Sequence, residues 1–204
     1  MPGGTATMAM GTIHAVRALD RHRLIGLVVR HRYGVPERFA LFVGTTEPRM
    51  NLGRLLEAHV AVTPDLPLLV VRPDGWGDTG QALAPGVRQL GRVSAANLPV
   101  LYDFASALVY PSLPERSGLP VLEAMAKGTA ALTSATTSTA EVAGDTGVLV
   151  DPLDVTAIGD ALVSVRNEPE RWAMLGEAAQ VRAQAFSWAA TGQRVADIYD
   201  DVAA

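Results

Sequence analysis

The sequence predicts an α/β fold, a parallel sheet with helices on both faces. From residue 39 onward, short apolar runs alternate with helical segments of about 10–15 residues, the pattern of a parallel sheet with connecting helices. The runs are continuously apolar, as Phe39-Ala40-Leu41-Phe42-Val43 illustrates, which is typical of strands covered on both sides. The six predicted strands are 39–43, 66–71, 87–90, 107–110, 130–133 and 147–150.

Length and composition favour one main domain. The chain has 204 residues and is 49% hydrophobic, which is enough to bury a core. We expect residues 1–38 to form an N-terminal tail and a surface helix, and residues 39–204 to form the α/β domain. With 17 basic and 21 acidic residues, no cysteine and no apolar run of membrane-spanning length, the sequence indicates a cytoplasmic protein without a transmembrane segment or a nucleic-acid partner.

Helix boundaries are predicted from capping residues. Asn51 and Asp154 each precede an apolar-periodic segment and are expected to cap a helix, while Ser94 is expected to open a helix that continues to about Ala105. His59 lies on or beside the apolar stripe of the helix after Asn51. A packed histidine is therefore favoured over a catalytic one.

The segment 111–128, PSLPERSGLPVLEAMAKG, is the strongest candidate for a functional site. It follows the apolar strand 107–110, which places Glu115 in the loop at the strand's carboxyl end. Pro120 suits a first helical position, so Glu123 is predicted within about the first turn of the next helix. Ligands bind in the crevice at the carboxyl ends of parallel strands, and a helix N-terminus accommodates phosphate. Two carboxylates and a helix N-terminus together would suit a nucleotide-sugar.

The loop 44–51, GTTEPRMN, is expected to face the same crevice. It also follows a strand and leads into a helix. Arg49 could contact a phosphate there, and a surface salt bridge is an equally good interpretation.

Two other patterns carry less weight. Residues 75–80, GWGDTG, match the glycine spacing of a dinucleotide site, but Pro85-Gly86 interrupts any following helix and no acidic residue stands about twenty positions on. A surface loop is favoured, and an NAD-dependent oxidoreductase is set aside.

His14, His22 and His31 are not spaced three or four apart, so we predict no metal site.

Three segments together resemble the C-terminal, donor-binding half of retaining GT-B glycosyltransferases (glycosyl transferases group 1 type). They keep the order and spacing of that family, and the likeness runs from about Phe39 to the end. The segments are FALFVGTTEPRMNLGRLLEAH, LVYPSLPERSGLPVLEAMAKG with its Glu-x7-Glu spacing, and TAEVAGDTGVLVDPLDVTAIGDAL. The resemblance implies a Rossmann-like single half of a GT-B fold and retaining transfer of a mannosyl- or glucosyl-type sugar.

The resemblance also implies residue roles. Glu123 would bind the ribose of a GDP- or UDP-linked sugar, and Glu115 would act at the donor sugar or reacting centre as the catalytic residue. Gly118 and Leu119 would offer backbone N–H groups to the sugar and diphosphate. Arg49 would help neutralise the diphosphate. No metal and no further cofactor is implied.

Departures from the family pattern lie in both loops. Met50 stands where the family has a lysine that binds the diphosphate. Arg116 and Ser117 replace a Gly-Phe pair in the donor loop, where Arg116 could supply a positive charge.

Two hypotheses remain open about the part of the enzyme that would bind the acceptor. About 38 residues precede the first strand, too few for an acceptor-binding half. The chain is then either a donor half that works with a separate acceptor-domain protein, or a non-catalytic nucleotide-sugar-binding remnant or interaction module. The last helix has an apolar side, Val195, Ile198, Tyr199 and Val202, which is expected to pack on its own domain, on a partner or on another copy.

Overall fold

A computed structural model describes residues 21–45, 47–71, 82–114 and 118–203. The chain divides into two compact units between Pro36 and Glu37. The first contains helix α1, Arg21–Tyr33, which lies within residues 1–38, where the sequence predicted a surface helix. The chain leaves this helix through Gly34, which has a positive φ of 56°. Predicted features at residues 1–20, which include His14, lie outside the described residues.

The second unit contains a seven-stranded sheet and seven α-helices within the described residues. The strands are β1 Ala40–Val43, β2 Leu68–Val71, β3 Ala82–Ala84, β4 Val87–Gly91, β5 Ala107–Tyr110, β6 Ala131–Ser134 and β7 Val148–Val150. The helices are α2 Leu52–Val62, α3 Leu98–Phe104, α4 Leu119–Ala126, α5 Ser138–Ala143, α6 Val155–Asn167, α7 Pro169–Ala183 and α8 Trp188–Ala203. Short 3₁₀ helices cover Pro48–Met50 and Gly144–Thr146.

The strand order is β3-β4-β2-β1-β5-β6-β7, and all pairs are parallel except β3–β4. The six predicted strands are confirmed as the parallel part of the sheet. The antiparallel β3 was not predicted. It is three residues long and joins β4 through Pro85 and Gly86, which form a tight turn with Gly86 at φ 73°.

The connections place helices on both faces of the sheet. From β1 the chain moves outward to β2 and β4, and from β5 it moves the opposite way to β6 and β7. Right-handed crossovers in opposite directions put their helices on opposite faces. Accordingly, α2 packs on α6, and α4 packs on α7. The neighbours β1 and β5 form the topological switch point, where ligands bind in open α/β sheets.

The core lies along the sheet and under these helices. Leu41, Phe42, Leu108 and Leu132 are fully buried, in the continuous apolar runs that predicted the strands. Each such side chain contributes about 1.5–3 kcal/mol by burial. His59 is also fully buried, which confirms the prediction of a packed histidine.

Helix α3 begins later than the sequence suggests. The carbonyl of Ser94 accepts hydrogen bonds from the backbone N–H of Asn97 and Leu98, which forms a turn before the helix. Pro99, at the second helical position, suits a helix start at Leu98. The prediction of a helix from Ser94 was therefore wrong by four residues. Within the described part of the chain, no helix is both long and apolar enough to cross a bilayer.

Candidate functional site

The two loops that the sequence placed at one crevice meet at the switch point. The backbone N–H of Leu113, after β5, donates to the carbonyl of Arg49, after β1, at 2.7 Å. Strands β1 and β5 are direct neighbours, so the loops that leave them share one edge of the sheet. The described parts of both loops therefore line one crevice at the carboxyl edge of the sheet.

Asn51 joins three of the loops at this edge. Its Nδ2 donates to the carbonyl of Pro111 at 2.9 Å and to that of Pro152 at 2.6 Å, and the residue is only 4% exposed. Its backbone is left-handed, with φ 58° and ψ 26°, a conformation that asparagine tolerates better than most residues. Asn51 occupies the cap position of α2, but its side chain does not cap that helix. The predicted cap interaction was wrong. A cap needs the side-chain oxygen as acceptor, and Oδ1 of Asn51 instead accepts a hydrogen bond from Arg54 Nη1 at 3.0 Å, while Nδ2 is fixed on the two distant carbonyls.

Arg49 lies on the surface of this loop. Its Nε donates to Glu47 Oε2 at 2.6 Å, and both side chains are about half-exposed. The hydrogen bond and the positive charge of Arg49 lower the pKa of Glu47. The surface salt bridge, one of the two interpretations of Arg49 that the sequence left open, is present. It keeps the guanidinium at the rim of the crevice.

Met50 points into the protein. The side chain is 5% exposed, and its Sδ accepts a hydrogen bond from the Tyr110 hydroxyl at 3.3 Å. Tyr110 in turn packs its ring against Phe42, with ring centroids 6.2 Å apart. A side chain at position 50 therefore packs on the Tyr110 side chain at the end of β5.

Glu123 stands at the mouth of a pocket between α3 and α4. The pocket has a volume of about 300 Å³ and is lined mainly by apolar groups of Leu98, Pro99 and Ala126. Glu123 is exposed and is the fifth residue of α4, just beyond the first turn, close to where the sequence predicted it. The size of the pocket, with one carboxylate at its edge, suits a small ligand that carries hydroxyl groups.

Tyr102 holds the Glu123 carboxylate. Its hydroxyl donates to Glu123 Oε2 at 2.9 Å, while the ring is 2% exposed. Burial, followed by the negative charge of Glu123, raises the pKa of Tyr102, so the phenol stays protonated and remains a donor. Sequence reasoning missed this residue. Its apolar helical spacing is that of a core position, and no local signal links it to Glu123.

Gly118 forms the N-cap of α4. Its φ of 61° favours glycine, and a Cβ there would approach Thr139 Cγ2 to 3.2 Å. Leu119 follows at the first helical position and is about half-exposed. The first turn of this helix therefore presents backbone at the crevice. Glu115, Arg116 and Ser117 lie outside the described residues, as do Gly75 to Gly80.

The strand order and the switch point define a Rossmann-like α/β domain with a crevice at the carboxyl edge of its sheet. A family model described as "Glycosyl transferases group 1" matches residues 37–168. The chain belongs to this family of glycosyltransferases. The resemblance stated from the sequence is confirmed.

Two curated relatives illustrate the likeness. The chain is 37% identical over 162 residues to O-antigen chain mannosyltransferase B of Escherichia coli, which covers 74% of this chain and 42% of that protein. It is 30% identical over 194 residues to D-inositol 3-phosphate glycosyltransferase of Corynebacterium glutamicum, covering 86% of this chain and 46% of the relative. The chain thus spans less than half the length of these two relatives.

Solved structures share the fold. Sucrose-phosphate synthase from Thermosynechococcus elongatus superposes with a TM-score of 0.74 at 28% identity, over 85% of this chain and 48% of that one. HepE from Anabaena, solved in complex with UDP and glucose, gives 0.72 at 20% identity, over 86% and 52%. These neighbours are GT-B glycosyltransferases, and the chain has the Rossmann-like architecture of one half of that fold.

Proposed function

We propose that this chain is the donor-binding half of a retaining glycosyltransferase and binds a nucleotide-diphosphate sugar at the carboxyl edge of the sheet. One observation carries the proposal: the Glu123 carboxylate, held by Tyr102, stands at the mouth of an apolar pocket beside helix α4. A carboxylate at that place can accept hydrogen bonds from both hydroxyls of a ribose. The pocket can take the attached base.

The diphosphate would extend from this pocket towards the N-terminus of α4. Backbone N–H groups at Gly118 and Leu119 and the positive end of the helix dipole favour an anion there. Arg49, at the rim of the neighbouring loop, would add a positive charge as the diphosphate leaves. Glu115 would act at the sugar, and Arg116 and Ser117 would contact the donor from the same loop.

The transferred sugar would keep its anomeric configuration and be of the mannosyl or glucosyl type, linked to GDP or UDP. Mannosyltransferase B and the UDP- and glucose-bound HepE are consistent with those donors. The acceptor would be bound by a separate acceptor-domain protein.

Calorimetric titration with GDP, UDP and ADP and their hexose conjugates tests the proposal. We expect one diphosphate series to bind, and Glu123→Ala to weaken that binding by at least about tenfold, the effect of losing a charge-assisted hydrogen bond. Glu177→Ala is the matched control because Glu177 is an exposed helical glutamate on α7. No binding to any nucleotide by the folded chain, or equal losses in both variants, would contradict the proposal.

A second function, a non-catalytic nucleotide-sugar-binding module, is favoured by one observation. Met50 is buried against Tyr110 at the position where the resemblance implies a diphosphate-binding lysine. Such a module would bind the donor weakly. Added acceptor-half protein would then give no sugar transfer, whereas a two-chain enzyme would show transfer.

A further inference from the structure

Helix α8 presents an apolar stripe to solvent. Its members are at least 46% exposed and are Trp188, Val195, Ile198, Tyr199 and Val202. Of the α8 side chains that the structure describes, Ala190 alone is half-buried, and it lies on the opposite side of the helix. The sequence left open whether this stripe packs on its own domain. Its exposure excludes that option within the described part of the chain.

The stripe has the spacing of a coiled-coil seam. Trp188, Val195 and Val202 follow one another at intervals of seven residues. Thr191 comes three residues after Trp188, and Ile198 comes three residues after Val195. On a helix these residues fall within an arc of about 100°, the width of a face that another helix covers. Successive a and d positions of this kind pack knobs into holes on a partner helix.

The flanking residues make the stripe complementary to itself in one orientation. We propose that α8 pairs with α8 of a second copy of this chain, antiparallel, about a two-fold axis between Ala196 and Asp197. That register places Val195 level with the partner's Ile198 and Thr191 level with the partner's Val202. Two-fold symmetry repeats every contact.

Charge and shape at the flanks fit the same register. Along the helix axis, Arg194 and the partner's Asp201 are offset by two residues, a rise of about 3 Å, so their charges can pair. The two-fold symmetry makes two such pairs. On the other flank Tyr199 lies beside the partner's Gly192. No atom lies within 4 Å of where a Cβ of Gly192 would stand, so the space for the tyrosine ring is open.

A parallel pair fits less well. In register, Arg194 would lie next to the partner's Tyr199, and Val195 would face its own copy. Neither the ion pair nor the Tyr–Gly contact would form. The charges therefore select the antiparallel arrangement.

Sedimentation velocity over a concentration series of the whole purified chain measures the association. We expect a dimer in rapid exchange with monomer. Ile198→Asp should raise the dissociation constant by more than about 100-fold, because the symmetry places two new charges in the apolar seam. Met174→Asp is the control, since Met174 on α7 is 64% exposed, close to the 61% of Ile198. A chain that is monomeric throughout, or equal effects of the two substitutions, would overturn the proposal.

A charge exchange identifies the partner and the orientation. Arg194→Asp alone places an aspartate beside the partner's Asp201 at both symmetric positions. This repulsion should weaken the dimer by about tenfold or more. Adding Asp201→Arg should restore the affinity, because the reversed pair re-forms across the axis. Failure of the double variant to restore association would overturn the antiparallel self-pairing and assign the stripe to another partner.

Discussion

The hydroxyl of Tyr102 lies 2.9 Å from the carboxylate of Glu123 and donates to its Oε2. The two residues come from α3 and α4, which pack against each other. The buried phenol fixes one oxygen of an exposed carboxylate that lines the pocket. Glu123 is therefore oriented before any ligand arrives, which lowers the entropy cost of binding.

Removing that hydroxyl should affect binding more than stability. Tyr102→Phe keeps the buried ring and deletes the donor to Glu123. We expect the affinity for the preferred nucleoside diphosphate to fall by about three- to tenfold, while the free energy of unfolding changes by less than about 1.5 kcal/mol, the net value of one hydrogen bond. Calorimetry and urea unfolding measure the two quantities.

The matched control for this variant is Tyr110→Phe. It also removes a buried tyrosine hydroxyl, but that hydroxyl contacts Met50 and not Glu123. Its nucleotide affinity should stay within about twofold of that of the unchanged chain. If Tyr102→Phe binds as well as the unchanged chain, Tyr102 does not position Glu123 for the ligand.

Asn51 should be among the most sensitive positions of the domain. Asn51→Ala leaves the carbonyls of Pro111 and Pro152 without this donor and puts a less tolerant residue at φ 58°. We expect a loss of about 2–4 kcal/mol in urea unfolding, since each unsatisfied buried carbonyl costs about 1–3 kcal/mol. Asn51→Gly relieves the backbone strain and should lose less than Ala.

Asn51→Asp separates the hydrogen bonds from the shape of the side chain. Aspartate has nearly the same size but would direct a carboxylate at two carbonyl oxygens. It should destabilise the protein at pH 7 at least as much as alanine does. Equal stability of the Asp variant and the unchanged chain would show that the two hydrogen bonds contribute nothing.

The sequence predicted the parallel sheet well because a strand buried on both faces needs a continuous apolar run. β1 and β5 fulfil that requirement with Ala40–Val43 and Ala107–Tyr110, and both are almost fully buried. The strand β3 escaped prediction because Ala82–Ala84 is only three residues long and two of them are alanine, which is depleted in strands. Its conformation comes from the hairpin pairing with β4, which local composition does not specify.

The candidate site was predicted at the level of loops but not of contacts. The positions of the two loops followed from strands that end at one edge of the sheet. The bonds of Asn51 reach residues 60 and 101 positions away, and Tyr102 meets Glu123 across two helices. Such partners are decided by tertiary packing. The asparagine before a helix therefore predicted only a cap, and nothing in the sequence singled out the tyrosine.

Met50 allows a test of the difference between this chain and the family pattern. Met50→Lys removes a thioether from the buried space beside Tyr110, and the ammonium must leave that space to be solvated. We expect the free energy of unfolding to fall by about 1–3 kcal/mol. Once in the crevice, the charge should strengthen binding of the nucleoside diphosphate by about tenfold, with a much smaller effect on the nucleoside itself.

The control at position 50 is Met50→Leu, which conserves volume without adding charge. It should cost less than about 1.5 kcal/mol and leave nucleotide affinity unchanged. Calorimetry with diphosphate and nucleoside compares the two variants. A lysine variant that is destabilised but gains no diphosphate affinity would place position 50 outside the ligand site.

His59 should make the stability of the domain depend on pH near neutrality. The ring is fully buried, and its Nε2 lies 2.6 Å from the carbonyl of Leu66, so the proton must be on Nε2. Burial lowers the pKa of His59 below its usual value. The Leu66 carbonyl and the charge of Asp65 oppose that shift but are the smaller effects.

The sign of the pH effect follows from this lowered pKa. Below the unfolded value of about 6.5, the unfolded chain binds a proton that the folded chain still excludes, so acidification favours unfolding. The free energy of unfolding should be level from pH 8 to 7 and then fall by up to about 1.4 kcal/mol per pH unit below 6.5.

His59→Gln, whose amide can still donate to Leu66, should flatten the profile between pH 7 and 5.5. Asp65→Asn is the control and should keep the fall in that range, because the carboxylate of Asp65, its pKa lowered by Arg166, titrates only in more acid solution. Urea unfolding at each pH measures the profiles, and an unchanged slope in His59→Gln would assign the acid sensitivity to other groups.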